Sequence, residues 1–186
     1  MHFTKFLVLI ALATAQQTSS ATAPVFEGKN TLLRPVNFRE WVFVGSSRGL
    51  SYAQNPPAQS QTPGGETYHN VYIKPEAYRE FAKTGKFPEG TVLAMEIASA
   101  DTKREPGLQG SYEKEFIGLE VSVKDSGRFE GGWAYFNFSN GTGSSYKAKA
   151  DPFPPSAGCV SCHKQNAETD NVFTQFYPVL RAAKPK

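Results

Sequence analysis

Five residues near the end of the chain, Cys159-Val160-Ser161-Cys162-His163, limit what it can fold into. Their Cys-x-x-Cys-His spacing is that of c-type haem attachment. Two thiols three positions apart can each bond to one vinyl group of the same porphyrin, and the adjacent imidazole then reaches the iron. Cys159 and Cys162 are the only cysteines of the sequence. The run therefore predicts one haem c per chain, held by both cysteines, with His163 as the proximal iron ligand.

Three other uses of a Cys-x-x-Cys pair are open, and each explains less of the pattern. A structural zinc ion needs four ligands, and beyond the N-terminal segment only Cys159, Cys162, His163 and His69 are Cys or His, without zinc-finger spacing. A thioredoxin-like redox pair opens a helix of a βαβ unit, whereas this pair follows a proline-rich stretch at 151–158. A structural disulfide has no need of the histidine.

The first fifteen residues have the pattern of an export signal. Lys5 supplies a positive charge, an apolar run extends from Phe6 to Leu12, and Ala13-Thr14-Ala15 matches an A-x-A cleavage site. The apolar run is too short to span a bilayer. We therefore expect a signal peptide at 1–15, a flexible leader at 16–30 and a haem-binding domain at 31–186. A periplasmic protein without a membrane span follows from the signal and the haem motif together.

The charge of the chain gives no indication of a nucleic-acid partner. The formal net charge is +3, and removal of Lys5 with the signal and addition of two haem propionates bring it close to zero. No basic run stands out in the sequence. The 14 Phe and 8 Tyr against 2 Met favour strands and an aromatic-lined pocket over an all-helical bundle.

Hydrophobic patterning predicts an α+β fold in one domain, mainly an antiparallel β-sheet with a few short helices. Alternation predicts strands at 66–73, 91–99, 116–124 and 133–138, most clearly where Leu119, Val121 and Val123 alternate with polar residues. Helices are predicted at 37–45, from Pro75 to a stop at Gly85, and near 173–180. The stretches 46–65 and 101–110 are predicted loops.

The function of such a haem depends on what lies on the other side of the iron. Met95, the only methionine beyond the first residue, is a sixth iron ligand, a pocket-lining side chain or simple core packing. His69 is a half-buried structural histidine or a hydrogen-bond donor on the distal side. Glu120 is a solvated carboxylate unless both faces of its strand are covered, in which case it can accept protons from a bound nitrogen compound.

Several stretches of the chain resemble one known family, the cytochrome P-460 and cytochrome c′-beta group. The matching stretches are residues 38–45, 71–78, 84–92, 117–126, 132–134 and the segment from Cys159 to Arg181. The resemblance implies a homodimer of mostly β-sheet subunits, each with one five-coordinate haem c. One branch of the family carries a lysine bonded to the porphyrin edge and oxidises hydroxylamine. The other lacks that bond, has an apolar distal pocket and binds nitric oxide and carbon monoxide.

The sequence departs from the hydroxylamine-oxidising branch at particular positions. Met95 falls where the resemblance places the cross-linking lysine, and a thioether cannot replace an amine there. His69 falls where that branch has a distal arginine, whereas Glu120 matches its pocket carboxylate. Phe87 matches a phenylalanine position of the family, so it is either a cap over the iron or ordinary core packing.

Three functions follow as hypotheses. The first is a cytochrome with an open iron site that binds small gases such as nitric oxide or carbon monoxide. The second is an enzyme that oxidises hydroxylamine, with Glu120 and His69 as its catalytic residues. The third is an electron carrier with His163 and Met95 as axial ligands, which serves a periplasmic redox partner.

Overall fold

The computed structural model describes residues 23–50, 66–104, 106–141, 143 and 145–185. These residues form two antiparallel sheets and three short α-helices, which confirms the predicted α+β fold in one domain. The strands are β1 Phe26–Glu27, β2 Thr31–Leu33, β3 Val42–Arg48, β4 Thr67–Ile73, β5 Val92–Lys103, β6 Gly110–Lys124, β7 Trp133–Asn137 and β8 Lys149–Ala150. The helices are α1 Pro75–Thr84, α2 Gly158–Asn166 and α3 Pro178–Ala183, with 3₁₀ helices at Phe38–Glu40 and Thr174–Phe176.

The larger sheet has the strand order β3-β4-β5-β6-β7 and is covered on both faces. On one face, Leu119, Val121 and Val123 belong to a core that also contains Leu32 and Ala150 of the small sheet β1-β2-β8. On the other face, a second core joins residues of the sheet to the helices, including Phe81 of α1 and Leu180 of α3. The polar residues that alternate with Leu119 and Val121 therefore point toward the helices rather than into bulk solvent.

Helix α1 begins and ends where the sequence predicts. Pro75 lies at the first helical position, where its missing N–H is not needed. Gly85 adopts a positive φ of 72° and donates its backbone N–H to the Phe81 carbonyl, which ends the helix. Phe81 is fully buried in the second core, so its side chain helps to hold this helix on the sheet.

The predicted helix at 37–45 is wrong for most of its length. Asn37 makes no capping hydrogen bond with its side chain, and only the single 3₁₀ turn Phe38–Glu40 is helical. From Val42 onward the chain is a strand paired with β4. The prediction depended on the helical spacing of only three apolar residues, and pairing with β4 stabilises the extended conformation more than this spacing stabilises a helix.

The predicted C-terminal helix is divided in two, and one predicted loop is shorter than expected. Pro178 has no N–H to continue a helix and restricts Tyr177 to an extended conformation. The 3₁₀ turn Thr174–Phe176 therefore ends before α3 begins. In the predicted loop at 101–110, Asp101, Thr102 and Lys103 still pair with β6, so the β5–β6 hairpin extends beyond the rest of the sheet.

Several N-terminal predictions lie partly or wholly outside the described residues, namely the signal peptide at 1–15, the first part of the leader and most of the loop at 46–65. The end of the predicted leader is ordered, because Phe26 and Glu27 pair with β2. Among the described residues, no helix is both long and apolar enough to cross a bilayer.

Candidate haem-binding site

A cavity of about 270 Å³ lies between the helix-facing side of the large sheet and the C-terminal segment. The wall from β3 to β6 includes Ser47, His69, Val71, Leu93, Met95 and Glu120. The wall from the C-terminal segment includes Cys159, Cys162, His163, Val172, Phe173 and Phe176. Six of the seven site residues predicted from the sequence therefore line one cavity.

The two cysteines lie on α2, one helical turn apart, and both are half-buried free thiols. Residues at this spacing lie on the same face of a helix, and here that face borders the cavity. Burial raises the pKa of the Cys159 thiol. The Asn166 amide donates to the Cys162 carbonyl at 3.1 Å and lies 3.4 Å from the Cys162 sulfur. The pair is therefore placed to bond to two neighbouring groups of one cofactor.

The His163 imidazole is fixed in the form that can ligate a metal. Its Nδ1 lies 2.8 Å from the Asn171 carbonyl oxygen. Because a carbonyl oxygen only accepts, Nδ1 carries the proton and Nε2 carries the lone pair. The imidazole ring contacts the rings of Tyr135 and Phe173, and the distance between ring centroids is 4.5 Å in each case. Burial lowers the pKa of His163, which favours the neutral form that binds metals.

The chemistry of these three side chains fits a haem c. Two thiols on one helical face, an adjacent imidazole with its tautomer set by a backbone carbonyl, and largely apolar surroundings are the groups that such a cofactor needs. Cys159, Cys162 and His163 are therefore the residues that could hold it.

On the sheet wall, Val71, Met95 and Glu120 form one row across three strands. Val71 pairs with Met95, and Met95 pairs with Glu120. Met95 packs at the edge of the second core, the one between the sheet and helices α1 and α3, which is called the helix-side core below. Burial raises the pKa of Glu120, so its carboxyl group keeps a proton to a higher pH than an exposed one.

His69 lies on the same wall, on β4. Its Nε2 is 3.2 Å from the Thr67 hydroxyl oxygen, and burial lowers the pKa of its imidazole. His69 is therefore a largely neutral group at physiological pH, able to donate or accept one hydrogen bond per nitrogen. That is weaker chemistry than the fixed positive charge of an arginine.

Phe87 is not among the described residues that line the cavity. Its ring stacks on Phe81 with centroids 4.4 Å apart and meets the Trp133 ring edge-on at 6.2 Å. It is 2% exposed and belongs to the helix-side core. The structure therefore places Phe87 in the packing beneath α1, as the core-packing alternative expects.

Sequence reasoning missed Asn171, whose backbone carbonyl sets the His163 tautomer. Every residue type has a backbone carbonyl, so no sequence motif could have indicated that this one accepts the hydrogen bond. The adjacent pair Asp170-Asn171 is a turn signal, and that signal alone could have shown that the chain reverses just after α2.

Comparison with known families adds one finding. The family model described as Cytochrome P460 matches residues 35–174, about three quarters of the chain. The matched segment contains the Cys-x-x-Cys-His run, Asn171 and the cavity residues of β4, β5 and β6. A search of curated proteins finds no match.

Proposed function

Because this chain belongs to the cytochrome P460 family, we propose that it is an exported cytochrome whose single haem c binds small gases such as nitric oxide. Cys159 and Cys162 would hold the cofactor through thioether bonds, and His163 would ligate its iron through Nε2. When bound, the haem supplies an iron with a coordination position that a diatomic gas can take. Carbon monoxide is the convenient probe for the same position.

The observation that carries this proposal is the make-up of the β4–β5 part of the cavity wall. His69, Val71, Leu93 and Met95 form it. The last three are apolar, burial lowers the pKa of the His69 imidazole and so favours its neutral form, and none of the four brings a lysine amine. Apolar side chains exclude water and favour small uncharged ligands over ionic ones. A methionine in mid-wall cannot form the amine bond that the resemblance associates with hydroxylamine oxidation.

An absorption spectrum of the reduced, purified protein tests the proposal. We expect the spectrum of a high-spin haem c, which changes when carbon monoxide is added, because the iron lacks a sixth protein ligand. Mass spectrometry should show the mass of the mature chain plus one haem. A low-spin spectrum unaffected by carbon monoxide would contradict the gas-binding function, and a mass without a tetrapyrrole would contradict the cofactor.

A variant at Met95 separates gas binding from electron transfer. Met95→Leu removes the sulfur and roughly conserves volume, so we expect no change in the spin state of the reduced haem. If the wild type were low-spin and Met95→Leu became high-spin, the sulfur would be an axial ligand and the chain an electron carrier.

Hydroxylamine oxidation is the second candidate, and Glu120 favours it. A half-buried carboxyl group in the cavity wall, with its pKa raised by burial, can accept protons from a bound nitrogen compound, and His69 can help to position it. A steady-state assay with hydroxylamine and an artificial electron acceptor tests this activity. Turnover that falls at least about 100-fold in Glu120→Gln, and persists in Glu115→Gln on an exposed part of the same strand, would establish the enzyme.

The remaining parts of the proposal concern location and assembly. We propose export to the periplasm after cleavage at the predicted signal, a homodimer as the family resemblance implies, and a periplasmic redox partner that reduces the iron. N-terminal sequencing of the secreted protein tests the cleavage. Sedimentation velocity of the haem-loaded protein tests the dimer, which should sediment with twice the mass of one mature chain.

A further inference from the structure

A tight turn follows α2 at Thr169–Val172 and has an uncommon backbone. Asp170 and Asn171 both have positive φ angles, 47° and 60°. Thr169 and Val172 exchange backbone hydrogen bonds of 3.3 and 2.8 Å, which close the turn. Two consecutive left-handed residues define a type I′ turn. Asp and Asn tolerate this conformation better than other residues with a side chain, yet it persists only where surrounding contacts fix it.

The Asp170 carboxylate supplies contacts that fix the turn to the sheet. Its Oδ2 accepts a hydrogen bond from Lys124 Nζ at 2.6 Å, and its Oδ1 accepts one from Trp133 Nε1 at 3.1 Å. Lys124 and Trp133 are paired residues at the end of the β6–β7 ladder. The Lys124 ammonium also donates to the Phe87 carbonyl at 2.8 Å. The Asp170 carboxylate is thus held by two donors from the end of the β6–β7 ladder.

The same turn presents the carbonyl that holds the histidine. The Asn171 oxygen accepts from His163 Nδ1 at 2.8 Å and from the Tyr135 hydroxyl at 3.4 Å. Asp170 and Asn171 are neighbours in this turn, so the contacts of the Asp170 carboxylate help to fix the backbone that carries the Asn171 carbonyl. A continuous path of polar contacts therefore runs from Lys124 and Trp133, through the turn, to the imidazole.

We propose that Asp170, with Lys124, is a positioning residue that sets the donor strength of His163 toward the haem iron. The inference rests on the haem c site of the proposed function. A hydrogen bond from Nδ1–H makes an imidazole a stronger donor, which stabilises the oxidised metal. The anchored turn keeps that bond short, and so holds the reduction potential lower than an unanchored turn would.

Two variants of the haem-loaded protein test this path. Asp170→Asn keeps the size of the side chain but replaces one acceptor oxygen and the charge, and Lys124→Met removes one donor. In each we expect the reduction potential to rise, because the Asn171 carbonyl is held less firmly against His163. At a fixed solution potential, we expect the ratio of reduced to oxidised protein to increase about tenfold. The iron–histidine stretching frequency of the reduced protein should fall in parallel.

Matched variants separate this role from a general loss of stability. Lys149→Met breaks a 2.6 Å ion pair of the same kind with Glu27 on the small sheet and should leave potential and frequency unchanged. Lys124→Arg keeps a cation at position 124 and should restore most of the wild-type potential. If Asp170→Asn does not fold, Lys124→Met carries the measurement, since it leaves the Trp133 bond to Asp170 in place.

The outcomes distinguish this inference from the proposed function. Wild-type protein without covalent haem would contradict the haem site itself. A normally loaded protein whose potential and iron–histidine frequency are the same in wild type, Asp170→Asn and Lys124→Met would overturn the positioning role alone. Equal shifts in Lys149→Met would also overturn it, because the effect would then not depend on the turn.

Discussion

Glu120 brings a carboxyl group into a cavity wall that is otherwise largely apolar. Burial raises the pKa of this group in the folded protein, because the charged form loses more hydration than the neutral form. A carboxyl group whose folded pKa lies above its unfolded value favours folding while it is protonated. That contribution is lost as the pH rises from the ordinary glutamate pKa of about 4.3 through the folded value.

The substitution Glu120→Gln should therefore change the pH dependence of stability. We expect the variant to be as stable as wild type at pH 4 and more stable than wild type at pH 7, because the amide never becomes charged in the cavity. Thermal or denaturant unfolding of the haem-loaded proteins at both pH values measures the difference. Glu115→Gln, on an exposed part of the same strand, controls for the loss of a surface charge. An equal gain at both pH values would show that the charge of Glu120 is not the cause.

The positions of single site residues were predictable to different degrees. Alternation in β6 set Glu120 apart from Leu119 and Val121, and the covered sheet brought its carboxyl group to the cavity. His69 and Met95 reached the same wall by strand pairing. Phe87 lies in the segment between α1 and β5, where neither periodicity nor resemblance predicts which way the side chain points. Its ring stacks on the ring of Phe81 in the core.

At the scale of elements, the 3₁₀ turn Phe38–Glu40 is attached to β5 by one ion pair. Arg39 donates from Nε and Nη2 to the two oxygens of Glu96, and the Tyr146 hydroxyl donates to the same carboxylate at 2.7 Å. The Glu96 side chain is 0% exposed, whereas that of Arg39 is 53% exposed. A fully buried carboxylate depends on such donors, because burial of an unpaired charge is costly.

The substitution Arg39→Met should destabilise the protein by about 2–4 kcal/mol, since it leaves the Glu96 charge buried with one donor fewer. This is below the full cost of breaking a buried pair because solvent screens the exposed side of Arg39. Denaturant unfolding measures the change. Adding Glu96→Gln to Arg39→Met should recover part of the loss, because a neutral amide is less costly to leave buried.

The ion pair of Arg48, which lies on β3, provides a control for the Arg39 variant. Arg48 pairs with Glu66, and both side chains are more than 40% exposed. Arg48→Met should therefore cost no more than about 1 kcal/mol. If Arg39→Met and Arg48→Met cost the same, the Arg39–Glu96 pair would contribute no more than a surface ion pair.

The elements themselves were predictable where several residues repeat a pattern. The alternation of β6 and the Pro75 and Gly85 boundaries of α1 were sufficient. The small sheet was not predictable, because strands of two or three residues are too short for the alternation of apolar and polar side chains to repeat. These strands form because their backbone pairing completes the core on the far face of the large sheet.

At the scale of the whole molecule, the large sheet and α2 differ in how much buried packing stabilises them. The large sheet is buried on both faces by the small sheet and by α1 and α3. Helix α2 has no fully buried residue, and at nine residues it is too short to be stable by itself. Of its half-buried residues, Cys159, Cys162 and His163 line the cavity, and Val160 packs against the second core. The sheet should therefore fold without the cofactor, whereas α2 should depend on it.

Hydrogen exchange of a cofactor-free variant tests this dependence. In Cys159→Ser/Cys162→Ser, we expect the amides of 158–166 to exchange at least about tenfold faster than in the haem-loaded wild type. The amides of β4, β5 and β6 should keep their protection, because none of the buried residues of their cores belongs to α2, and only Val160 of α2 packs against the second core. Ser161→Ala, which lies between the two cysteines on the exposed side of α2 and keeps both thiols, should exchange like wild type. Equal protection of 158–166 with and without the cofactor would mean that α2 is held by protein contacts alone, and simultaneous loss across the sheet would mean that the haem supports the whole domain.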